Sequence, residues 1–410
     1  MREHENIRNP FNIIVIVAAL GYFVDIYDLI LFGIVKDPSL RELGVANSDL
    51  FSVGAHLLTM QMLGMLTGGI VWGILGDKRG RLSTLFLTIL IYSIANIANG
   101  FVHSIPMYST MRFIAGFGLA GELGIGITLV SEIMSKETRG MGTSFVAGVG
   151  ILGAVLAYTV AEKFNWRIAY FTGGGLGLCL LILRVTMYES GMFEKSKSKD
   201  VVRGNFLLLF NNLKRFKNYA FLILAGIPCW FVVGILVINS PTFASDALHI
   251  SEPVKGSTAV MLHYIGASIG SFLLGLLSRR WRSRKKALYV SIISITILLA
   301  AYFFMGGMSR DFFYSVIFLL GVAQGGLWTI FVTSASEMFG TNIRATVTTT
   351  APNFVRGSTV LIILYLNFLK PSQGLWAAGL IVGSTVVLIS AISIFFLKET
   401  YDRNLDYTEK

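Results

Sequence analysis

The nine residues Gly73-Ile74-Leu75-Gly76-Asp77-Lys78-Arg79-Gly80-Arg81 form a short basic link between two long apolar segments. These segments, at about 50–75 and 83–102, each hold the roughly 20 mostly apolar residues that a membrane helix needs. Gly80 allows a tight reversal of the chain between them. The stretch therefore predicts two antiparallel membrane spans joined by a positively charged turn.

The composition of the whole chain agrees with this local pattern. Of the 410 residues, 54% are hydrophobic and only 14% are charged, whereas an ordinary soluble domain carries about 25% charged residues. This is too little charge to cover the two or three soluble cores that a chain of this length would form. Two cysteines inside apolar runs exclude a disulfide scaffold. We predict an all-α polytopic membrane protein.

Twelve segments of the sequence are apolar and long enough to span a bilayer. The first is not predicted as a cleavable signal peptide, because it contains two Asp residues and leads straight into further spans. We predict an N-terminal six-helix bundle at 1–187, a cytoplasmic linker at 188–217 and a C-terminal six-helix bundle at 218–410. The spans lie at about 12–35, 50–75, 83–102, 107–134, 142–162, 167–187, 219–243, 257–277, 288–307, 311–338, 346–369 and 374–397.

The basic residues are distributed unevenly between the two sides of the predicted membrane. Of the 34 Lys and Arg, 24 fall in the termini and loops on one side, 7 on the other, and Arg112, Arg184 and Arg356 within spans. By the positive-inside rule, both termini are cytoplasmic. The net charge of +11 then indicates topology and contact with the lipid bilayer, and no nucleic acid. Short loops favour a bacterial inner membrane, and we expect a monomer.

One short element occurs at the same place in both predicted halves. After the fourth span, Ser131-Glu132 is followed seven residues after the Glu by Arg139, and after the tenth span Ser336-Glu337 is followed at the same distance by Arg344. Parallel six-span repeats around a central cavity are a known arrangement of transporters. The repeat predicts two pseudo-symmetric bundles with the substrate held between them.

Together with this repeat, the Gly73-to-Arg81 link resembles the signature loop of the major facilitator superfamily: a Gly, an Asp four residues on, then a basic residue, Gly and another basic residue. The resemblance covers the whole chain and implies alternating access by two rocking bundles. It also implies that the link closes the cytoplasmic side, where Asp77 can meet Arg81 or Arg139 near helix ends. The residues assigned to this cytoplasmic gate are Gly73, Asp77, Lys78, Gly80, Arg81, Glu132, Arg139, Glu337 and Arg344.

Other classes of protein are not supported by the sequence. It contains no metal-binding triad, nucleophile motif or phosphate loop, so we expect no enzyme, no catalytic residues, no metal and no cofactor. Asp25-Ile26-Tyr27-Asp28, with Arg112 and Glu122, resembles the metabolite:proton symporters, the aromatic-acid:proton symporters and the sugar porters. This resemblance implies import of a small-molecule substrate together with protons.

Four ionisable residues in the first half are the candidates for proton coupling. Asp25 and Asp28 share one helix face and repel each other, which favours keeping one of them protonated. We expect Arg112 to hold one of these carboxylates until it is protonated; a permanent structural ion pair is the alternative. Glu122 is either a second proton site or a helix-to-helix hydrogen bond.

Arg356 indicates the class of substrate. It lies near the centre of the eleventh span, beside Asn353 and with no acid in the same span. A guanidinium group there needs either an acid from another helix or an anionic ligand, and the second half supplies no obvious mid-membrane acid. We therefore expect a small organic anion; the alternatives are a zwitterion or polyol, with Arg356 paired internally, or a transporter-like sensor. Further candidates to line the cavity, each with helix packing as the alternative, are Tyr27, Gln61, Trp230, Asn239, Gln324 and Trp328.

Overall fold

The computed structural model describes residues 9, 11–184, 202–304 and 306–409, and these are mostly helical. The helices are α1 (Ile13–Glu42), α2 (Leu50–Arg79), α3 (Arg81–Asn99), α4 (Ile105–Ile133), α5 (Arg139–Lys163), α6 (Trp166–Arg184), α7 (Leu213–Val237), α8 (Gly256–Trp281), α9 (Arg284–Phe303), α10 (Arg310–Met338) and a 53-residue stretch, Arg344–Phe396.

The 53-residue stretch consists of two membrane helices. As one straight helix it would be about 80 Å long, far more than the roughly 30 Å of a bilayer core. Gly374 breaks it with a φ of 76° and a ψ of 166°, a conformation that favours glycine. We number the two parts α11 (344–373) and α12 (375–396), so the described chain has the twelve spans that the sequence predicts.

Polar caps define where several helices begin. The side chain of Asn12 accepts a hydrogen bond from Ile14 N at 2.9 Å, and Ser283 and Ser309 cap α9 and α10 in the same way. Such caps satisfy backbone N–H groups that have no partner within the helix. The link between α2 and α3 is a single residue, Gly80, whose φ of 113° confirms the expected tight turn.

Small residues let helices pack closely within each half, and they do so between equivalent pairs of helices in the two halves. Gly64 of α2 lies directly against the backbone of Phe113 in α4, and Gly270 of α8 lies directly against the backbone of Val322 in α10. A methyl group at either position would overlap a backbone carbonyl, as is typical of close helix packing in membranes. The two halves, α1–α6 and α7–α12, are therefore built in parallel ways.

The interface between the halves positions the site. α11 packs along α2 and α4, and α8 packs along α5. We call the end of the bundle where α2 ends and α3, α5, α9 and α11 begin the basic end. Residues 185–201, which include residues 188–201 of the predicted linker, lie outside the described residues. α7 begins at Leu213, so the last five residues of the predicted linker are helical.

Candidate functional site

Arg356 lies at a small cavity between the two halves. Its side chain is 1% exposed, and its Nη1 donates a hydrogen bond to Asn353 Oδ1 at 3.3 Å. Its Nε and Nη2 have no hydrogen-bond partner among the described residues. The guanidinium carbon is 5.7 Å from the centre of the Trp328 ring. A buried guanidinium group with two free donors is suited to an anionic ligand.

The cavity is lined by both halves and is largely apolar. The space inside it that a water molecule can occupy is about 20 Å³. Four lining residues are aliphatic: Ile26, Ile151, Val233 and Ala267. The others are Tyr22, Trp230, Tyr264, Gln324, Trp328 and Arg356.

Asp25 is the acid nearest to Arg356. Asp25 Oδ2 lies 3.7 Å from Arg356 Nη2, and neither carboxylate oxygen accepts a hydrogen bond in the described structure. Of the two alternatives for Arg356, an acid on another helix is therefore present beside it. The partner comes from α1 of the first half, so this ion pair joins the two halves.

Asp28 and Arg112 form a second buried group of charges. Both side chains are fully buried and close enough to interact electrostatically. No ion pair within 4.0 Å joins Arg112 to Asp25 or Asp28 among the described residues, contrary to the expectation of direct contact. The Arg112 guanidinium instead lies over the rings of Phe32 and Tyr170, 5.1 Å and 5.7 Å from their centres.

Glu122 is bound by a residue to which the sequence analysis gave no role. Arg184 Nη1 donates to Glu122 Oε2 at 3.2 Å, and Arg184 Nη2 donates to Glu122 Oε1. This bidentate pair is buried and joins α4 to α6, so of the two alternatives for Glu122 the helix-to-helix contact is present. The sequence signal for Arg184 was its position within a span, where a cation needs an acid.

At the basic end, the second half closes against the first through Asp77. Its carboxylate accepts hydrogen bonds from Ala345 N at 3.0 Å and from Thr346 N at 2.8 Å, at the beginning of α11. Asp77 also lies 3.5 Å from Arg81, so the expected Arg81 contact is confirmed. Gly73 allows α2 to approach the backbone of Thr346 closely.

The repeated Ser-Glu elements also meet at the basic end. Glu132 accepts from Arg81 and from Arg344, both at 2.8 Å, and Ser131 donates to Ser336 at 2.8 Å. Glu337 is instead bound within its own half, by Arg284, which was not among the predicted gate residues. Its two hydrogen bonds from Arg284 are 3.0 and 2.8 Å long.

The remaining predicted gate residues make different contacts. Arg139 donates to the carbonyl of Arg403, in the segment that follows α12, at 3.3 Å. Lys78 is exposed. Arg344 also donates to the Leu405 carbonyl at 2.7 Å, so the segment after α12 covers the basic end.

The predicted lining residues divide into two groups. Trp230, Gln324 and Trp328 line the cavity, and Asn353 contacts Arg356. The structure places Tyr27, Gln61 and Asn239 away from the described cavity: Tyr27 donates to the Ala169 carbonyl at 2.8 Å, Gln61 is buried on α2, and Asn239 donates to carbonyls at the end of α7.

Two cavity residues were missed by the sequence analysis. Tyr22 accepts a hydrogen bond from Trp328 Nε1 at 3.0 Å across the two halves, and Tyr264 lines the second-half wall. Both are aromatic residues inside apolar spans, so neither stands out in the sequence.

Twelve membrane helices in two parallel halves, with a charged centre between them, define a polytopic transporter. The family model described as "Major Facilitator Superfamily" matches residues 18–362, and the chain belongs to this superfamily. It is a multi-pass membrane transporter of small molecules and not an enzyme.

The chain is similar in sequence to several transporters, and in fold to a solved transporter structure. The chain is 26% identical to the putative niacin/nicotinamide transporter NiaP of Bacillus subtilis (strain 168), over 83% of this chain and 84% of that protein. It is 27% identical to the proline/betaine transporter of Escherichia coli (strain K12), over 95% and 83%. The proton:xylose symporter XylE bound to 6-bromo-6-deoxy-D-glucose has a TM-score of 0.79 at 16% identity, covering 96% of this chain and 97% of that one.

Proposed function

We propose that this protein imports a small organic carboxylate together with protons by alternating access. The observation that carries the proposal is the buried Arg356 guanidinium at the cavity, with Nε and Nη2 free to donate. A desolvated guanidinium group binds a carboxylate through two parallel hydrogen bonds. Niacin, which appears in the name of one relative, is a carboxylic acid.

Proton coupling is proposed to depend on the buried carboxyl groups of the first half. Asp25 lies 3.7 Å from Arg356, and Asp28 is buried near Arg112 without an ion pair within 4.0 Å among the described residues. Neither carboxylate has a hydrogen-bond partner among the described residues, which makes each ionised form costly to keep buried. Protonation of either group would weaken its attraction to an arginine, and with it a contact between helices.

The basic end is proposed to be the cytoplasmic gate. Asp77, Glu132 and Ser131 of the first half contact α10 and α11 of the second half there, so this arrangement is closed at that end. We propose a monomer in a bacterial inner membrane, with six-helix bundles at 1–187 and 218–410 and both termini in the cytoplasm.

Binding to the purified protein tests the substrate class. Benzoate and nicotinate are expected to raise the thermal unfolding temperature of the wild-type protein, and nicotinamide and xylose to leave it unchanged. A ligand at one hundred times its Kd adds about 2.7 kcal/mol of stability. Arg356→Gln is expected to abolish the shift, whereas Arg310→Gln, at a half-exposed site far from the cavity, is expected to retain it. If Arg356→Gln responds to the acids as the wild type does, the proposal is wrong.

A zwitterion is the second candidate, and the Asp25–Arg356 pair favours it. A betaine or a proline would place its carboxylate on Arg356 and its cation toward Asp25. Two proline/betaine transporters are among the relatives. Stabilisation by betaine or proline, with no response to benzoate, would favour this candidate.

A further inference from the structure

We infer that the carboxylate of the substrate takes the place of Asp25 on Arg356, and that Asp25 then takes up the one proton that is transported with the substrate. We also infer that the substrate is a monocarboxylate with a flat, apolar body. This inference rests on the proposed function. It couples substrate binding to proton uptake, because Arg356 exchanges Asp25 for the substrate carboxylate.

The contact between Asp25 and Arg356 is weak for a buried ion pair. The charged atoms are 3.7 Å apart, and no hydrogen bond joins them. Both Asp25 oxygens, together with Arg356 Nε and Nη2, have no hydrogen-bond partner in the described structure. A buried pair is favourable only when such groups are satisfied. A ligand carboxylate that accepts from both Nε and Nη2 is a better partner for Arg356 than Asp25 is.

Asp25 is the one acid in this interior that would be left without its cation. The charged and titratable groups that act on it or surround it are Tyr22 and Asp28 of its own helix, Tyr92 of α3, Glu122 of α4, Arg184 of α6 and Arg356 of α11. Glu122 keeps its two hydrogen bonds from Arg184. Asp28 keeps Arg112. A ligand on Arg356 therefore removes the ion-pair partner of Asp25, and of no other acid among these groups.

The charges of this interior also limit the number of protons. Within the described bundle centre, Arg112, Arg184 and Arg356 are balanced by Asp25, Asp28 and Glu122. One added carboxylate leaves an excess of one negative charge in a medium of low dielectric constant, and one proton removes it. In the exchange, an Asp25 oxygen takes the proton from water and becomes an O–H group, while the substrate remains ionised. On release, the substrate leaves, the proton returns to water and Asp25 pairs with Arg356 again, so the net cargo is uncharged.

The cavity wall favours a monocarboxylate over a zwitterion. Arg356 is the only charged residue that lines the described cavity, and Asp25 is not part of the wall. Protonation of Asp25 adds no heavy atom behind this wall, whereas a substrate ammonium group would have to displace the wall. Tyr22, Trp230, Tyr264 and Trp328 present aromatic surface instead, which suits a planar apolar body.

Proton uptake on binding tests the exchange. We would titrate purified protein with benzoate in buffers of different ionisation enthalpy and count the protons taken up. The wild type is expected to take up about one proton per benzoate, and its Kd to rise about tenfold per pH unit once Asp25 is ionised in the free protein. Asp25→Asn is expected to bind benzoate with no proton uptake and with a Kd that changes less than threefold between pH 6 and pH 8. Asp311→Asn, at a side chain that is 85% exposed, is the control and is expected to match the wild type.

Each other outcome identifies what has failed. Benzoate binding to the wild type without proton uptake, or uptake that persists in Asp25→Asn, overturns the exchange while the proposed carboxylate site stands. Binding of glycine betaine in place of benzoate overturns the monocarboxylate. Unchanged benzoate binding by Arg356→Gln removes the proposed function itself. If Asp25→Asn does not fold, Asp25→Glu replaces it: proton uptake must persist with a shifted pH midpoint, and an unshifted midpoint overturns the assignment to Asp25.

Discussion

The carboxylate of Asp77 accepts hydrogen bonds from both the backbone N–H and the hydroxyl of Thr346, at 2.8 and 2.7 Å. Asp77 lies in the last turn of α2 in the first half, and Thr346 lies in the first turn of α11 in the second. An acid at this position satisfies N–H groups that have no partner within the helix and also interacts favourably with the helix dipole. The two halves are therefore joined by a helix cap that belongs to neither half alone.

Removing this shared cap is expected to open the basic end. Asp77→Ala should cost about 1–2 kcal/mol of the closed arrangement, the usual value of a helix cap. A cysteine at position 128 reports the opening, since Thr128 is buried there and bonded to Thr348 across the halves. Measured with Cys179→Ser to remove the exposed native thiol, its labelling rate should rise about five- to thirtyfold. Asp37→Ala, at an exposed site, is the control, and an unchanged rate in Asp77→Ala would contradict the role of the cap.

Glu132 and Glu337 are equivalent residues with different partners, which makes them a matched pair. Glu132→Gln removes the charge that Arg81 and Arg344 share, and Arg344 belongs to the other half. Glu337→Gln weakens a pair with Arg284 inside one half. Breaking a buried pair costs about 3–5 kcal/mol. Both variants should unfold at lower temperature, but only Glu132→Gln should raise labelling at position 128. Equal labelling rates of the two variants would contradict this difference between the roles of Glu132 and Glu337.

The Glu122–Arg184 pair is expected to be structural. Glu122→Gln leaves a buried guanidinium without its acid and should destabilise the protein by about 3–5 kcal/mol. The double variant Glu122→Gln/Arg184→Gln should recover part of that loss, because no unpaired charge remains. A thermal double-mutant cycle measures the coupling. If Glu122→Gln is as stable as the wild type but loses pH-driven uptake, Glu122 is a proton site instead.

The stability contributed by Glu399, which follows α12, should depend on pH. Partial burial raises the pKa of Glu399, but hydrogen bonds from the Ser283 hydroxyl and from nearby backbone N–H groups outweigh it and hold the pKa below its usual value. A lowered pKa gives stability that is present above the unfolded pKa of about 4.3 and is lost as the pH falls through the folded value.

Glu399→Gln is the variant that tests this pH dependence. It should cost about 0.5–2 kcal/mol at pH 7, because the carboxylate accepts from Arg284 N at 2.8 Å and so caps α9. The difference from the wild type should shrink below about pH 4. Thermal unfolding at the two pH values measures it, and a difference that does not change with pH would show that the charge of Glu399 is not involved.

Particular residues show how much of the site could be predicted. Arg356 and the pair Asp25 and Asp28 were identified because an ionisable residue within a span is costly and needs a reason. Their partners were not identified correctly, since Asp25 faces Arg356 of α11 and Arg112 makes no ion pair with either acid among the described residues. Arg184 and Arg284 were visible as basic residues, but nothing near them in the chain points to Glu122 or Glu337. Tyr22 and Tyr264 of the aromatic cavity wall were not identified, because aromatic residues are also common where helices simply pack against each other.

The amino-acid sequence by itself was enough to predict the twelve spans, the turn at Gly80, and the repeat of Glu132 and Arg139 as Glu337 and Arg344. This is because each membrane helix satisfies its own backbone hydrogen bonds, and its stability in the bilayer depends on its own side chains. Only the tertiary structure decided which charges meet. Pairings such as Asp25 with Arg356, or Asp77 with Thr346, join helices that are distant in the chain, and they depend on the rotation and depth at which those helices pack. Side-chain volumes and close glycine contacts set that packing, and hydropathy does not record it.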